Sequence, residues 1–127
     1  MTTAREIFQR SLALLGQEPG ENTEAFERRA PRILNLLLAE LVELDYWLKG
    51  EKMPDTVSVP SVETLEDPLE LDESIEWMLL PLGLAALLIQ EEEGARGSFF
   101  LQLYENERET LRRRRRRGRR HKILRSF

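Results

Sequence analysis

The chain contains no cysteine. That excludes a disulfide framework, a thiol nucleophile and a thiolate metal site, and it makes the fold indifferent to the redox state of its compartment. It has a single histidine, His121, which removes paired-histidine metal sites and most imidazole-based acid–base schemes. His121 also lies in a run of arginines, where neighbouring positive charge disfavours the imidazolium. Long hydrophobic runs are missing too. The longest, Met78 to Ile89, is twelve residues and is interrupted by Pro81 and Gly83, short of the ~18 to 20 that span a bilayer. The opening Met1-Thr2-Thr3-Ala4-Arg5-Glu6 carries an acid and no apolar h-region, so no secretory leader is expected. There is no Gly-rich phosphate loop, no metal-spaced histidine pair and no nucleophile elbow. Carboxylates are abundant in the manner of solvated helix faces. The expectation is a protein that is not an enzyme, with no catalytic, cofactor-binding or metal residues and no membrane partner.

What is present is charge, separated along the chain. Residues 112 to 127 hold ten basic residues and no acid: Arg112, Arg113, Arg114, Arg115, Arg116, Arg117, Arg119, Arg120, Lys122 and Arg125. The remaining 111 residues hold 9 basic and 23 acidic residues, so a body of −14 is joined to a tail of +10, which together give the net −4. A block of like charge repels itself and stays extended unless a partner neutralises it. At 127 residues the chain is long enough for one modest core. The economical division is a helical domain over 1–111 and a docking tail over 112–127.

The spacing predicts an all-α fold, a small bundle of about four helices. The first spans 3 to 15, with Thr3 and Glu6 in capping-box register, Gly16 as its stop and Phe8, Leu12 and Leu15 inward. Thr23 is placed to cap a second helix reaching about Leu48. Its stripe is Phe26, Ala30, Ile33, Leu34, Leu37, Leu41, Leu44 and Leu48, with Pro31 a kink or a first turn. From Gly50 to Leu71, Pro54, Pro60 and Pro68 forbid continuous helix while Val57, Val59, Val62 and Thr64 favour extended chain, so a long Pro-rich arm or weak hairpin is expected between helices 2 and 3. Leu65, Asp67, Leu69 and Leu71 do not alternate cleanly, because Asp67 falls on the apolar parity, and a regular strand is not expected there. Asp72 is placed to cap a third helix to about Glu93, with Ile75, Met78, Leu79, Leu82, Ala86 and Ile89 inward, Pro81 a kink, and the helix itself at the centre of the core. Gly94 to Gly97 reads as a turn. Ser98 then caps a fourth helix packing through Phe99, Phe100, Leu103, Tyr104, Glu107 and Leu111.

Three readings of the tail compete. Its arginines can grip DNA phosphates without reading sequence, dock into an acidic protein groove through bidentate guanidinium pairs, or remain a solvated localisation tail. The apolar Ile123, Leu124 and Phe127 favour the protein groove, since a tail built for phosphate or water has little use for such anchors. Elsewhere, Glu91, Glu92 and Glu93 lie where a helix C-terminus disfavours negative charge by ~0.3 to 1 kcal/mol apiece. They are candidates for a subunit interface, against the plainer reading of an acidic turn facing water. Trp47 and Trp77, with Tyr46, fit either interface or core. Leu36, Leu38 and Val42 widen the apolar face of the second helix beyond one packing side, which predicts self-association.

Ile33-Leu34-Asn35-Leu36-Leu37-Leu38-Ala39-Glu40-Leu41, then Leu65-Glu66-Asp67-Pro68-Leu69-Glu70-Leu71-Asp72, then Leu82-Gly83-Leu84-Ala85-Ala86-Leu87-Leu88 and a helix with Phe99, Phe100 and Tyr104 follow one another in the order in which the chain resembles head-tail connector proteins of tailed bacteriophages, also called adaptor or head completion proteins. The resemblance covers roughly 3 to 110 as short degenerate motifs. It implies a helical subunit in a ring, commonly of twelve copies, beneath the portal in the virion neck, assembled in the host cytoplasm. Such a ring extends the DNA channel without sequence readout, meets a tail-completion or tail-terminator protein, and sends its C-terminal segment, here Arg112 through Phe127, to the portal protein. No catalytic residue is implied. The arginine run is denser than that pattern, which leaves portal, neighbouring subunit and DNA open as its contact. A nucleic-acid-binding accessory protein whose tail grips DNA or RNA is the alternative. Twelve such tails would gather about 120 positive charges near one axis, and a like pair at 4 Å costs ~4 kcal/mol at an effective dielectric near 20. A ring of this kind requires interleaved negative charge, so the isolated protein is expected to associate weakly and to order its tail on portal binding.

Overall fold

Thr3 closes the start of the first helix as its spacing predicts: its side chain accepts a hydrogen bond from Glu6 N at 3.4 Å. The computed structural model describes residues 2–125, with side chains for 2–20 and 22–114. A two-residue strand β1 (Thr2–Thr3) leads into α1 (Ala4–Leu14), followed by a 3₁₀ turn (Glu21–Thr23) and the long α2 (Glu24–Lys49). The arm follows and contains β2 (Pro68–Leu69), then come a π-helical turn (Ile75–Leu79), α3 (Leu80–Ile89) and α4 (Gly94–Arg125). The fold is an all-α bundle of four helices with one minimal sheet, in which β1 and β2 run antiparallel with Thr2 opposite Leu69 and Thr3 opposite Pro68.

Two helix ends are set by glycine in the left-handed region, where a side chain would be strained. Gly16 has φ 71° and Gly50 has φ 74°. At the second, Gly50 N donates to Trp47 O and Glu51 N to Tyr46 O, so the last carbonyls of α2 are satisfied where the chain turns into the arm. Thr23 differs from its expected capping role. Its hydroxyl turns back to Gly20, donating to the carbonyl and accepting from the N–H, and so closes the preceding turn rather than α2. Pro31 lies inside α2, which continues through it.

α3 sits at the centre, packed against α1, α2 and α4. Leu80, Leu84, Ala85, Ala86, Leu88 and Ile89 are buried, in a segment apolar on nearly every side. Gly83 lets α4 and α2 approach, since a Cβ there would lie 3.0 Å from Leu37 and 3.2 Å from Tyr104. Asp72 opens the helical region, its carboxylate accepting from Ser74 N and its carbonyl from Ile75 N and Glu76 N.

Regular α-helix from Asp72 was expected; a π turn occupies Ile75–Leu79 instead. Pro81 has no N–H to give to residue 77 and its ring crowds that carbonyl, and the wider turn just before it relieves the conflict. The extra residue rotates the face ahead of α3 by about 100°, so Met78 points to solvent at 47% exposure instead of inward. A second correction concerns Gly94 to Gly97, which begins α4 rather than forming the turn; the turn is at 90–93. Gly97 is needed because α4 crosses the end of α3 so closely that a Cβ would stand 2.8 Å from the Gln90 backbone. Of the side chains expected inward on α4, Phe100, Tyr104 and Leu111 are buried, whereas Phe99 is 60% exposed.

Candidate docking site

Where α4 leaves the bundle it runs along acidic positions of α2. Tyr104 donates from its hydroxyl to Glu40 Oε1 at 3.1 Å, and Arg108 forms an ion pair with the same carboxylate. Burial pushes the Tyr104 phenol up to about 12, helped by Glu105 and opposed by Arg112. Burial, and after it the Arg112 charge, lowers Arg108 from the ordinary guanidinium value, yet it stays cationic because that value is so high. One turn on, Arg112 lines a groove of about 180 Å³ with Glu43, Leu44 and Trp47. Arg113 Nε reaches back to Glu109 Oε1 at 3.4 Å, and Arg114 is exposed.

The start of the cationic run therefore lies near carboxylates of the same chain: Arg112 shares a groove with Glu43, and Arg113 pairs with Glu109. An exposed pair such as the second is worth little, at most about 1 kcal/mol. The docking-tail assignments at Arg115, Arg116, Arg117, Arg119, Arg120, Lys122, Ile123, Leu124, Arg125 and Phe127, and the reading of His121, lie outside the described side chains.

The other sequence candidates scatter. Trp47 is half-buried beside Arg112, while Trp77 is 57% exposed on the π turn with the Arg10 guanidinium 3.3 Å from its ring centroid. Arg10 is held there by a hydrogen bond from Nη1 to Glu76 O. The acidic triplet has local uses. Glu91 stands 3.4 Å from Arg29, and Glu93 is 3.0 Å from Arg96; Glu92 is exposed. The same two arginines cap helix ends, Arg29 donating to Leu88 O of α3 and Arg96 to Leu15 O just past α1. Arg29 at the C-terminus of α3 offsets the macrodipole that made the triplet look misplaced.

The arm answers a further question raised by the sequence. Val42 is half-buried beside Ser58, Pro60 and Glu70 of this chain's own arm, and Leu38, 1% exposed, lies one turn beyond Asn35, which bonds the arm at Val62. Val62, Leu65 and Leu69 of the arm join the core cluster that contains Leu38. The widened apolar face of α2 is thus largely covered within the chain, and Leu36 stays 66% exposed.

Polar side chains fasten this cover. Asn35 pairs with Val62 in both directions, Nδ2 donating to the carbonyl at 2.9 Å and Oδ1 accepting from the N–H at 2.8 Å. Asp45, almost buried, accepts from Asp72 N at 2.6 Å and pairs with Lys49, whose Nζ also reaches Glu70 O. Glu76 accepts from Leu71 N and from the Thr2 hydroxyl. Asp67 folds the arm on itself by accepting from Glu63 N and Thr64 N, and these N–H groups hold its carboxyl below the usual carboxylate range. Sequence reading missed Asn35, Asp45 and Glu76. The available signal was position, since Asn35 lies between leucines on α2 and Asp45 lies one turn beyond Leu41 on its buried stripe.

Among the described residues no group of histidine, aspartate or glutamate side chains is arranged to hold a metal ion, and no helix is long and apolar enough to cross a membrane. Compared with known proteins, the chain matches no family model, no curated protein and no solved structure.

Proposed function

We propose that this chain is a structural adaptor of a tailed bacteriophage, a helical subunit that assembles as a ring beneath the portal, extends the DNA channel and links capsid to tail. The observation that carries this reading is the separation of charge on a rigid frame. A −14 body packs around α3, and one continuous helix, α4, leads from that core into the +10 end. Such a subunit has an anionic surface and a cationic handle, and like subunits associate only with the handle seated on negative charge. The segments that carry the resemblance fall in separate elements of the fold. The leucine-rich stretch lies in α2, the Leu65 to Asp72 stretch is the fastened part of the arm, the small-residue stretch is α3, and Phe99, Phe100 and Tyr104 lie on α4. In this reading the distal tail docks on the portal protein, a tail-completion protein meets the opposite face, and DNA passes without sequence readout.

The test replaces Arg112 to Arg117 with serine in the full chain and measures two affinities, for the portal protein of the same phage and for duplex DNA over a salt series. Lost portal capture with little change in a weak, salt-sensitive DNA affinity is expected. Intact portal capture with abolished DNA binding would replace the adaptor by a nucleic-acid-binding accessory protein.

A further inference from the structure

The π turn displays an aromatic site that the adaptor reading does not use. Trp77 and Met78 are the exposed pair of that turn, at 57% and 47%. With Glu73 and Ser74 they line a groove of about 300 Å³, and Glu73 is its charged lining residue among the described residues. Trp77 is preorganised, because Arg10 stacks on its ring while bonding to Glu76 O. A large rigid side chain fixed before binding loses little conformational freedom when a partner arrives, and Trp and Arg are the residue types that dominate interface energies. The stack with Arg10 also demonstrates what this indole accepts, which is a guanidinium.

We propose that this groove receives the arginine run of a second copy of the chain, an inference that rests on the ring reading. An incoming guanidinium stacks on Trp77 and pairs with the Glu73 carboxylate, while its methylene stem covers Met78. Charge complementarity selects the occupant, since Glu73 belongs to a body of −14 and faces a segment of ten cations that has no acid of its own, while Arg10 covers one face of the indole and the ring stays 57% exposed to the incoming guanidinium. The run starts where α4 leaves the bundle: α4 contacts the π turn, Leu111 is its last buried residue among those described, and the helix continues to Arg125, each residue adding about 1.5 Å along the axis. An arginine run seated in a neighbour's groove links copies head to tail and closes a ring when the rotation allows.

The experiment is a double-mutant cycle on self-association of the full chain, followed by sedimentation at low salt. Glu73→Lys and the Arg112 to Arg117 serine variant are each expected to weaken association about tenfold, and the combined variant to be no weaker than either alone. Effects that multiply would overturn the proposal, because independent sites behave that way. A second measurement uses a labelled peptide with the sequence of residues 112–127, titrated with full-length protein and read by anisotropy. Trp77→Ala, which removes an exposed ring, is expected to weaken binding about tenfold, and a peptide with lysine in place of each arginine to bind about threefold less well. Equal binding of both peptides and indifference to Trp77→Ala would mean diffuse attraction to the acidic body and would also overturn the proposal. Portal capture is scored separately. If it persists while the cycle shows no coupling, only this inference falls; if wild-type protein fails to capture portal, the adaptor reading falls instead.

Discussion

The two halves of the connection between α2 and α3 both carry proline and valine and meet opposite fates. Residues 51–61 contain Pro54, Pro60, Val57 and Val59, and none of them is buried. Residues 62–72 contain Pro68, Val62, Leu65 and Leu69, and the last three are core. Propensity does not separate them, since each half mixes proline with residues that favour extended chain. What separates them is the surface beneath. The second half lies where Asn35, Asp45, Lys49 and Glu76 offer bonds to backbone groups, through Val62, Asp72, Glu70 and Leu71. An irregular segment cannot satisfy its own backbone as a helix does, so it is buried only where side chains supply the missing partners. The first half is nowhere fully buried, although Ser58 and Pro60 lie beside Val42.

The strongest challenge to this contrast is a pair of truncations. Leu65→Ala is expected to destabilise by about 2–5 kcal/mol, as a buried leucine does, whereas Val59→Ala should stay within about 0.5 kcal/mol; urea unfolding measures both. Similar costs at the two positions would erase the distinction. The polar account is sharpened by Asn35→Ala, which leaves the Val62 N–H and carbonyl without partners and should cost about 1–3 kcal/mol. Amide exchange adds spatial detail: Val62 should lose protection in that variant, while residues 52–59 exchange fast with or without it. The smallest effect is set by pH. Asp67 is held below its ordinary value in the folded chain, so its contribution is complete above the unfolded-state pKa near ~3.9 and fades as pH falls through the lower folded value. Glu63 and Thr64 amide resonances should shift in that acid range alone, and movement between pH 5 and 7 would contradict the assignment.

Much of the fold was legible because it rests on local chemistry. Gly16, Gly50, Thr3 and Asp72 mark ends through conformation or capping that a single residue type determines. α3 was recognisable as the centre from its uniform apolarity. Less legible was whatever depends on one element crossing another. The glycine at 97 reads as a turn residue until the approach to Gln90 is known, and Met78 reads as core until the π turn rotates it outward. Leu38 and Val42 looked like a face awaiting a neighbour because irregular chain leaves no periodic trace of where it will lie. Asp67 was noticed as a break in alternation, and that break is the residue that folds the arm. Of the candidate site, the sequence located the cations and the two tryptophans, while Arg10 and Glu73, which complete the Trp77 surface, carry no sequence signal.

The first turn of α1 draws on residues made much later. Ala4 N donates to Asp67 O at 3.0 Å and Arg5 N to Leu65 O at 2.7 Å, so two of its opening amides depend on carbonyls some sixty positions downstream. During vectorial synthesis the earliest helix therefore leaves the ribosome with an unfinished beginning, and its final stitches wait until the arm has emerged. A ribosome stalled before residue 65 would hold a nascent product whose amino end is still frayed, and α1 would still await α3, its main packing partner.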